Sequence, residues 1–196
     1  MIIVILGESG SGKSTIQGIL EHNFAYEKII SLTTRKQRMG EVNGKDYHFV
    51  DDDTFKETVW RGLFAEYDEY SQNRFYGTLK SDYQKGNKVV VLTPNGLRQL
   101  KKSCPKDDIF VVYVTANLGT RVKRYVDRCG VSKFNFDDKN EIAARVERDF
   151  AMFLGLDKEV DLVVTNNEGT DVFSLAEKIH KQCQEKIEYE IYAYTE

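Results

Sequence analysis

The chain has 196 residues, 41% of them hydrophobic and 30% charged, which suits one globular domain with a full core. A net charge of −3 excludes a global attraction to nucleic acid or an anionic membrane, so any phosphate binding must be local. Three widely spaced cysteines, Cys104, Cys129 and Cys183, contain no CxxC pair and read as free thiols, not as a disulfide frame or zinc site.

The first apolar run, Ile2–Leu6, stops at Gly7. It is too short for a signal peptide or for a membrane span of about 20 residues, so the expected location is the cytoplasm, with no membrane partner. It reads as a buried strand, followed by the glycine-rich run Gly7–Ser14 and a helical pattern over Lys13–His22. From Thr33 to Thr78 the rhythm breaks. Gly40, Gly44, Gly62 and Gly77 supply turns, and Asp46–Val50, Gly62–Tyr67 and Arg74–Tyr76 are short strand candidates of a small mixed-β insert. Lys88–Leu92, Ile109–Thr115 and Asp161–Thr165 are further buried strands, and Pro94 and Pro105 mark no linker. Helical spacing returns in Leu118–Cys129, Asn140–Leu154 and Asp171–Lys186, with a polar interruption at Gly130–Lys139. The tail Ile187–Glu196 alternates acidic and aromatic residues and reads either as an edge strand or as a loose end. Strands alternating with helices give an α/β class: a P-loop NTPase-type parallel sheet sandwiched by helices, with right-handed crossovers.

Gly7-Glu8-Ser9-Gly10-Ser11-Gly12-Lys13-Ser14 fits G-x-x-x-x-G-K-[ST] at every fixed position, between an apolar strand and an amphipathic helix. The glycines let backbone N–H groups converge on phosphate oxygens, and the helix start adds its positive dipole end. Lys13 is the residue to neutralise β/γ-phosphate charge, and the Ser14 hydroxyl is the residue to ligate Mg²⁺. With Thr15, which follows, these residues form the expected ATP site.

A resemblance to the guanylate kinase family appears in the segment Ser31–Val50 (SLTTRKQRMGEVNGKDYHFV) and in Phe64-Ala65-Glu66-Tyr67 followed by Asn73-Arg74-Phe75-Tyr76-Gly77-Thr78. Between Glu66 and Tyr76 the chain is one residue longer than the usual family spacing. The resemblance runs from the P-loop to about Asn166, densest in the first 80 residues. It implies that Arg35, Arg38, Tyr47 and Tyr76 hold the 5′-phosphate of an acceptor nucleotide. The chemistry agrees, since two guanidinium forks and two phenols suit a phosphate dianion. The resemblance further implies that Glu66 reads guanine, assisted by Ser31 and Thr78. One carboxylate accepts both N1–H and the 2-amino group, whereas adenine would face it with a bare N1 acceptor. Asp68 and Glu69 continue the acidic run beside it.

Arg121, Arg124 and Arg128 fall on one predicted helix, and Arg145 and Arg148 on the next. By position Arg124, Arg128 and Arg145 match the lid arginines of the family, which stabilise charge on the transferring phosphoryl group. Arg145 and Asp149 form a possible i, i+4 pair. Asn166 matches the position near the adenine of ATP, with Asn167 beside it. One departure stands out. The family's Asp-x-Asp pair, aligned on Gly96, becomes Val91 and Thr93. Thr93 accepts a hydrogen bond but carries no charge, which bears on guanine stringency and Mg²⁺ affinity.

The resulting expectation is a single domain, 1–196, with core segments 1–33, 80–127 and 157–196, an acceptor-binding insert 34–79 and a helical lid 128–156. Its expected reaction is ATP-dependent phosphorylation of GMP or dGMP with Mg²⁺ and no nucleic-acid partner. Alternatives are a kinase for another monophosphate, such as dTMP or a modified deoxynucleotide, and a non-catalytic phosphopeptide-binding module. Oligomeric state stays open.

Overall fold

The apolar run Ile2–Leu6, four of its residues β-branched, forms β1, buried along its whole length at the centre of a five-stranded sheet. In the computed structural model, residues 1–71, 73–84, 86–103, 109–129 and 136–193 are described. The sheet runs β2 (Glu27–Lys28), β7 (Lys88–Val91), β1, β8 (Ile109–Thr115), β9 (Leu162–Thr165), every pair parallel. Alternate residues of these strands feed two cores. Ile3, Ile5, Val89, Val112 and Val114 pack with Ile16 and Leu20 of α1 (Lys13–Asn23) and Ala176 and Ile179 of α6 (Val172–Ala193). Ile2, Val4, Leu6, Val90 and Val111 pack on the other face with Leu97 and Leu100 of α3 (Pro94–Ser103).

A second sheet, ordered β4 (His48–Phe49), β3 (Leu32–Thr33), β6 (Arg74–Leu79), β5 (Phe64–Ser71), is mixed as the sequence suggests. It also carries a helix that the sequence reading lacks, α2 (Asp52–Trp60). Its start is legible in retrospect: Asp51 accepts the Thr54 N–H at 2.8 Å, and Asp52 and Asp53 complement the helix dipole. Phe55 of α2 packs on Leu32 and Phe64 in a small separate core.

Three further differences have local causes. Pro94 opens a helix: Thr93 caps α3 by accepting the Gly96 N–H at 3.0 Å, and proline is preorganised for a first helical position. α5 spans Phe136–Phe153, so four residues of the expected polar interruption are already helical, while 130–135 lie outside the described residues. The tail is neither edge strand nor loose end as far as it is described, because α6 continues to Ala193. Residues with acidic and aromatic side chains are carried there on a helix whose inner turns are anchored by Ala176, Ile179 and Cys183. Cys183 is free and buried, as expected of a thiol; Cys104 lies outside the described residues. Among the described residues no helix is long and apolar enough to cross a membrane.

Candidate active site

The glycine-rich loop joins β1 to α1. Gly12 sits at the helix N-cap with φ 98°, and a Cβ there would come within 2.2 Å of the Asn166 amide nitrogen. Only glycine meets both demands. The loop is gripped from outside: Asn166, 1% exposed, donates to the Ser11 carbonyl at 2.8 Å, and Arg124 bridges the Gly10 carbonyl (3.1 Å) and Asn166 Oδ1 (3.2 Å). Asn167 turns away to accept the Asn117 N–H at 2.8 Å, so it is Asn166 that meets the loop. Lys13 folds its ammonium onto the Gly7 and Glu8 carbonyls at 2.8 and 2.9 Å. Burial lowers its pKa to about 8, against the opposing charges of Asp149 and Glu8. Ser14 and Thr15 lie exposed in the first turn of α1.

The two helices α4 (Leu118–Cys129) and α5 meet the loop at Ser9. Asp149 of α5, 1% exposed, accepts the Ser9 N–H at 2.9 Å, pairs with Arg121 and takes the Tyr70 hydroxyl at 3.3 Å. The expected Arg145–Asp149 pair is therefore replaced. Arg145 turns one helical turn the other way to Glu141 at 2.5 Å, because Arg121 already claims Asp149 across the helix interface. Arg145 also reaches the Ser9 hydroxyl at 3.3 Å and lies over the Tyr125 ring at 5.1 Å. Burial opposes the charge on Glu141, yet its bonds to Arg145, Arg74 and Tyr125 hold its pKa at about 2. Arg128 joins Ser9, Arg121, Arg145 and Asp149 around a cavity of about 20 Å³, room for a single water. Sequence reasoning passed over Arg121 and Asp149 as loop-holding residues, because their contacts join segments far apart in the chain.

On the second sheet, Arg35 is 7% exposed and more committed than the sequence suggests. Its fork holds Glu41 at 2.8 and 2.9 Å, its Nε donates to the Tyr76 hydroxyl at 3.2 Å, and it lies 5.2 Å from the Tyr47 ring centroid. Glu41, overlooked in the sequence reading, thereby fixes the guanidinium. Arg38 is looser, with a side chain 41% exposed and 3.9 Å from Glu41. Burial and the charges of Arg35 and Arg145 lower its pKa, the mark of a cation cluster that one acid does not neutralise. Such a cluster favours an incoming dianion.

At the other end of the same face, Glu66 is 4% exposed and Thr78, its cross-strand partner, donates to it at 2.7 Å. A register shift between Phe64 and Glu66 lets three consecutive residues be buried, with Phe64 and Ala65 in two different cores and Glu66 at the site. Burial raises the Glu66 pKa to about 7; the Thr78 bond opposes this and the charge of Asp68 adds to it. Ser31, 9% exposed, precedes β3 beside Thr78 and Glu66 on this sheet. Thr93 donates to Asp68 at 2.5 Å while it caps α3.

The fold and the loop define an α/β protein of the P-loop class, whose second sheet carries a carboxylate at one end of a face and an arginine–tyrosine group at the other. The family model described as guanylate kinase matches residues 1–186, and the chain belongs to that family. It is 38% identical over 135 residues to a guanylate kinase of Lactobacillus johnsonii, a match covering 65% of each chain. It is 35% identical over 189 residues to one of Lactococcus lactis, covering 92% of this chain and 85% of that one. The chain thus spans just under two thirds, 65% and 61%, of two of these curated relatives, from Lactobacillus johnsonii and Lactobacillus acidophilus. The crystal structure of guanylate kinase from Anaplasma phagocytophilum superposes with a TM-score of 0.66 over 95% of this chain and 85% of that one. At 20% identity, that likeness shows the fold.

Proposed function

We propose that the chain transfers the γ-phosphoryl group of ATP to the phosphate of GMP or dGMP, giving ADP and GDP or dGDP. The observation that carries this reading is Glu66, a carboxylate 4% exposed on the face that also presents Tyr76. Burying an acid is costly unless its partner arrives with the substrate, and guanine supplies two adjacent N–H donors. Arg38, Arg35, Tyr47 and Tyr76 would take the acceptor phosphate, with Glu41 holding Arg35 in place. An acceptor phosphate oxygen attacks the γ-phosphorus, and the bond to the β-bridging oxygen breaks. Since that nucleophile is already ionised, no general base is needed, and positioning and charge stabilisation do the catalysis. Lys13 is suited to the charge growing on the β/γ oxygens, and Arg124, Arg128 and Arg145 to that on the equatorial oxygens. Asn166 and the 7–15 segment would hold ATP.

Mg²⁺ fits this site through few protein atoms. Among the described residues no group of three or more His, Cys, Asp or Glu side chains could hold a metal, and Ser14 offers an exposed hydroxyl. That suits a cation bound through one protein oxygen, nucleotide phosphates and water, and its charge would offset that of the phosphates. Residues 34–79 serve as the acceptor-binding insert and 128–156 as the lid, with small molecules as partners and the cytoplasm as location. Phosphorus NMR of ATP and GMP with catalytic amounts of protein tests the reading. GDP and ADP signals should grow together. ADP and free phosphate without GDP would refute it.

A further inference from the structure

The acid absent at Thr93 has a counterpart on the neighbouring strand. Asp68 lies two residues beyond Glu66 on β5, so both side chains point to the same face, about 7 Å apart along the strand. The register between them is regular, Glu66 opposite Thr78 and Asp68 opposite Tyr76. Both carboxylates abut the turn that opens α3. Glu66 Oε2 would lie 2.5 Å from a Cβ at Gly96, and Asp68 accepts from Thr93 (2.5 Å) and from the Asn95 amide (2.8 Å). Thr93 has one hydroxyl proton, given to Asp68, while its oxygen takes the Gly96 N–H. One donor on each Asp68 oxygen leaves further acceptor capacity on both.

From this arrangement we infer that Asp68 is a second base-reading carboxylate of the acceptor site, specific for the 2-amino group of the purine; the inference rests on the kinase reading above. Guanine presents three N–H hydrogens on this edge, one on N1 and two on the 2-amino group. Glu66 accepts N1–H and one amino hydrogen, and Asp68 takes the other. Thr93 and Asn95 hold the Asp68 carboxylate in place, and that charge sits near enough to Glu66 to raise its proton affinity. The selectivity put in doubt by Thr93 is thus restored from β5.

The test compares GMP with IMP, which keeps N1–H and lacks the 2-amino group. Asp68→Ala should lower kcat/KM for GMP roughly ten-fold, the effect of losing a charged hydrogen bond, and leave IMP and the KM of ATP within two-fold. Asp68→Asn, which keeps the size and one acceptor, should show a smaller loss with the same indifference to IMP. A parallel fall for GMP and IMP would make Asp68 a support of the α3 turn only, and an unchanged GMP value would remove it from recognition; either overturns the inference alone. A wild-type protein inactive on GMP would bring down the kinase reading and this inference with it.

Discussion

Replacing Glu66 by glutamine probes base recognition at its most buried group. The carboxyl is 4% exposed, and its pKa of about 7 against an ordinary 4.5 means that ionisation in the empty site costs on the order of 3 kcal/mol. The donor pair of guanine must offset that cost, so guanine binding favours the ionised form. With glutamine, Thr78 still donates to the amide oxygen, but the amide nitrogen turns a donor toward a guanine N–H. One such mismatch costs about 1–3 kcal/mol, roughly five- to 150-fold in kcat/KM for GMP. AMP, whose N1 accepts a hydrogen bond, should change little, so the GMP-to-AMP ratio collapses. The pH dependence supplies a second signature. A raised pKa keeps Glu66 protonated below about 7, so wild-type kcat/KM for GMP should climb as pH rises through 7, above the phosphate's own step near 6. Glu66→Gln should lose that limb. A variant that keeps both the GMP preference and the limb would refute the reasoning.

Arg38→Ala should raise the acceptor KM ten- to a hundred-fold with little change for ATP, because Arg38, unlike the Glu41-bound Arg35, is the looser guanidinium at the proposed phosphate end; steady-state kinetics with each substrate varied decides this. Lys13→Ala should cut kcat by orders of magnitude with the circular dichroism spectrum unchanged, since the hydrogen bonds of the ammonium to the described residues go to loop carbonyls. Near-normal turnover would contradict its assigned role. In the wild type, the lowered Lys13 pKa places loss of its charge near pH 8, so kcat/KM for ATP should fall as pH rises past that value. Asp149→Asn removes a charge that holds this proton, so the falling limb should move to lower pH; an unmoved limb would detach Asp149 from Lys13.

The central sheet and the loop were legible in the sequence for a physical reason. A strand buried on both faces must be a dense apolar run, and a phosphate loop must spend glycine at fixed spacing. What escaped reading were features set by contacts far apart in sequence. The role of Asp149 depends on Ser9 and Arg121, and that of Glu41 depends on where Arg35 folds. Asp68 looked like part of a solvated acidic run until β5 and the α3 turn were brought together. α2 and α3 had local signals, the Asp51 cap and Thr93-Pro94, which the polar composition of one and the valine-rich strand before the other obscured. The family resemblance offered a set of acceptor residues as an expectation, but not which arginine is tied to Glu41 and which is loose.

The most direct test of the account is a competition in one vessel, with ATP, Mg²⁺ and equal amounts of GMP, dGMP, AMP, dTMP and CMP, the products resolved by chromatography at low conversion. Apart from the one ADP that each transfer releases from ATP, GDP and dGDP should together dominate the diphosphates formed, because only their base meets a buried carboxylate with paired donors. A mixture led by dTDP, CDP or ADP formed from AMP, or ATP cleavage with no nucleoside diphosphate made from an acceptor, would contradict it.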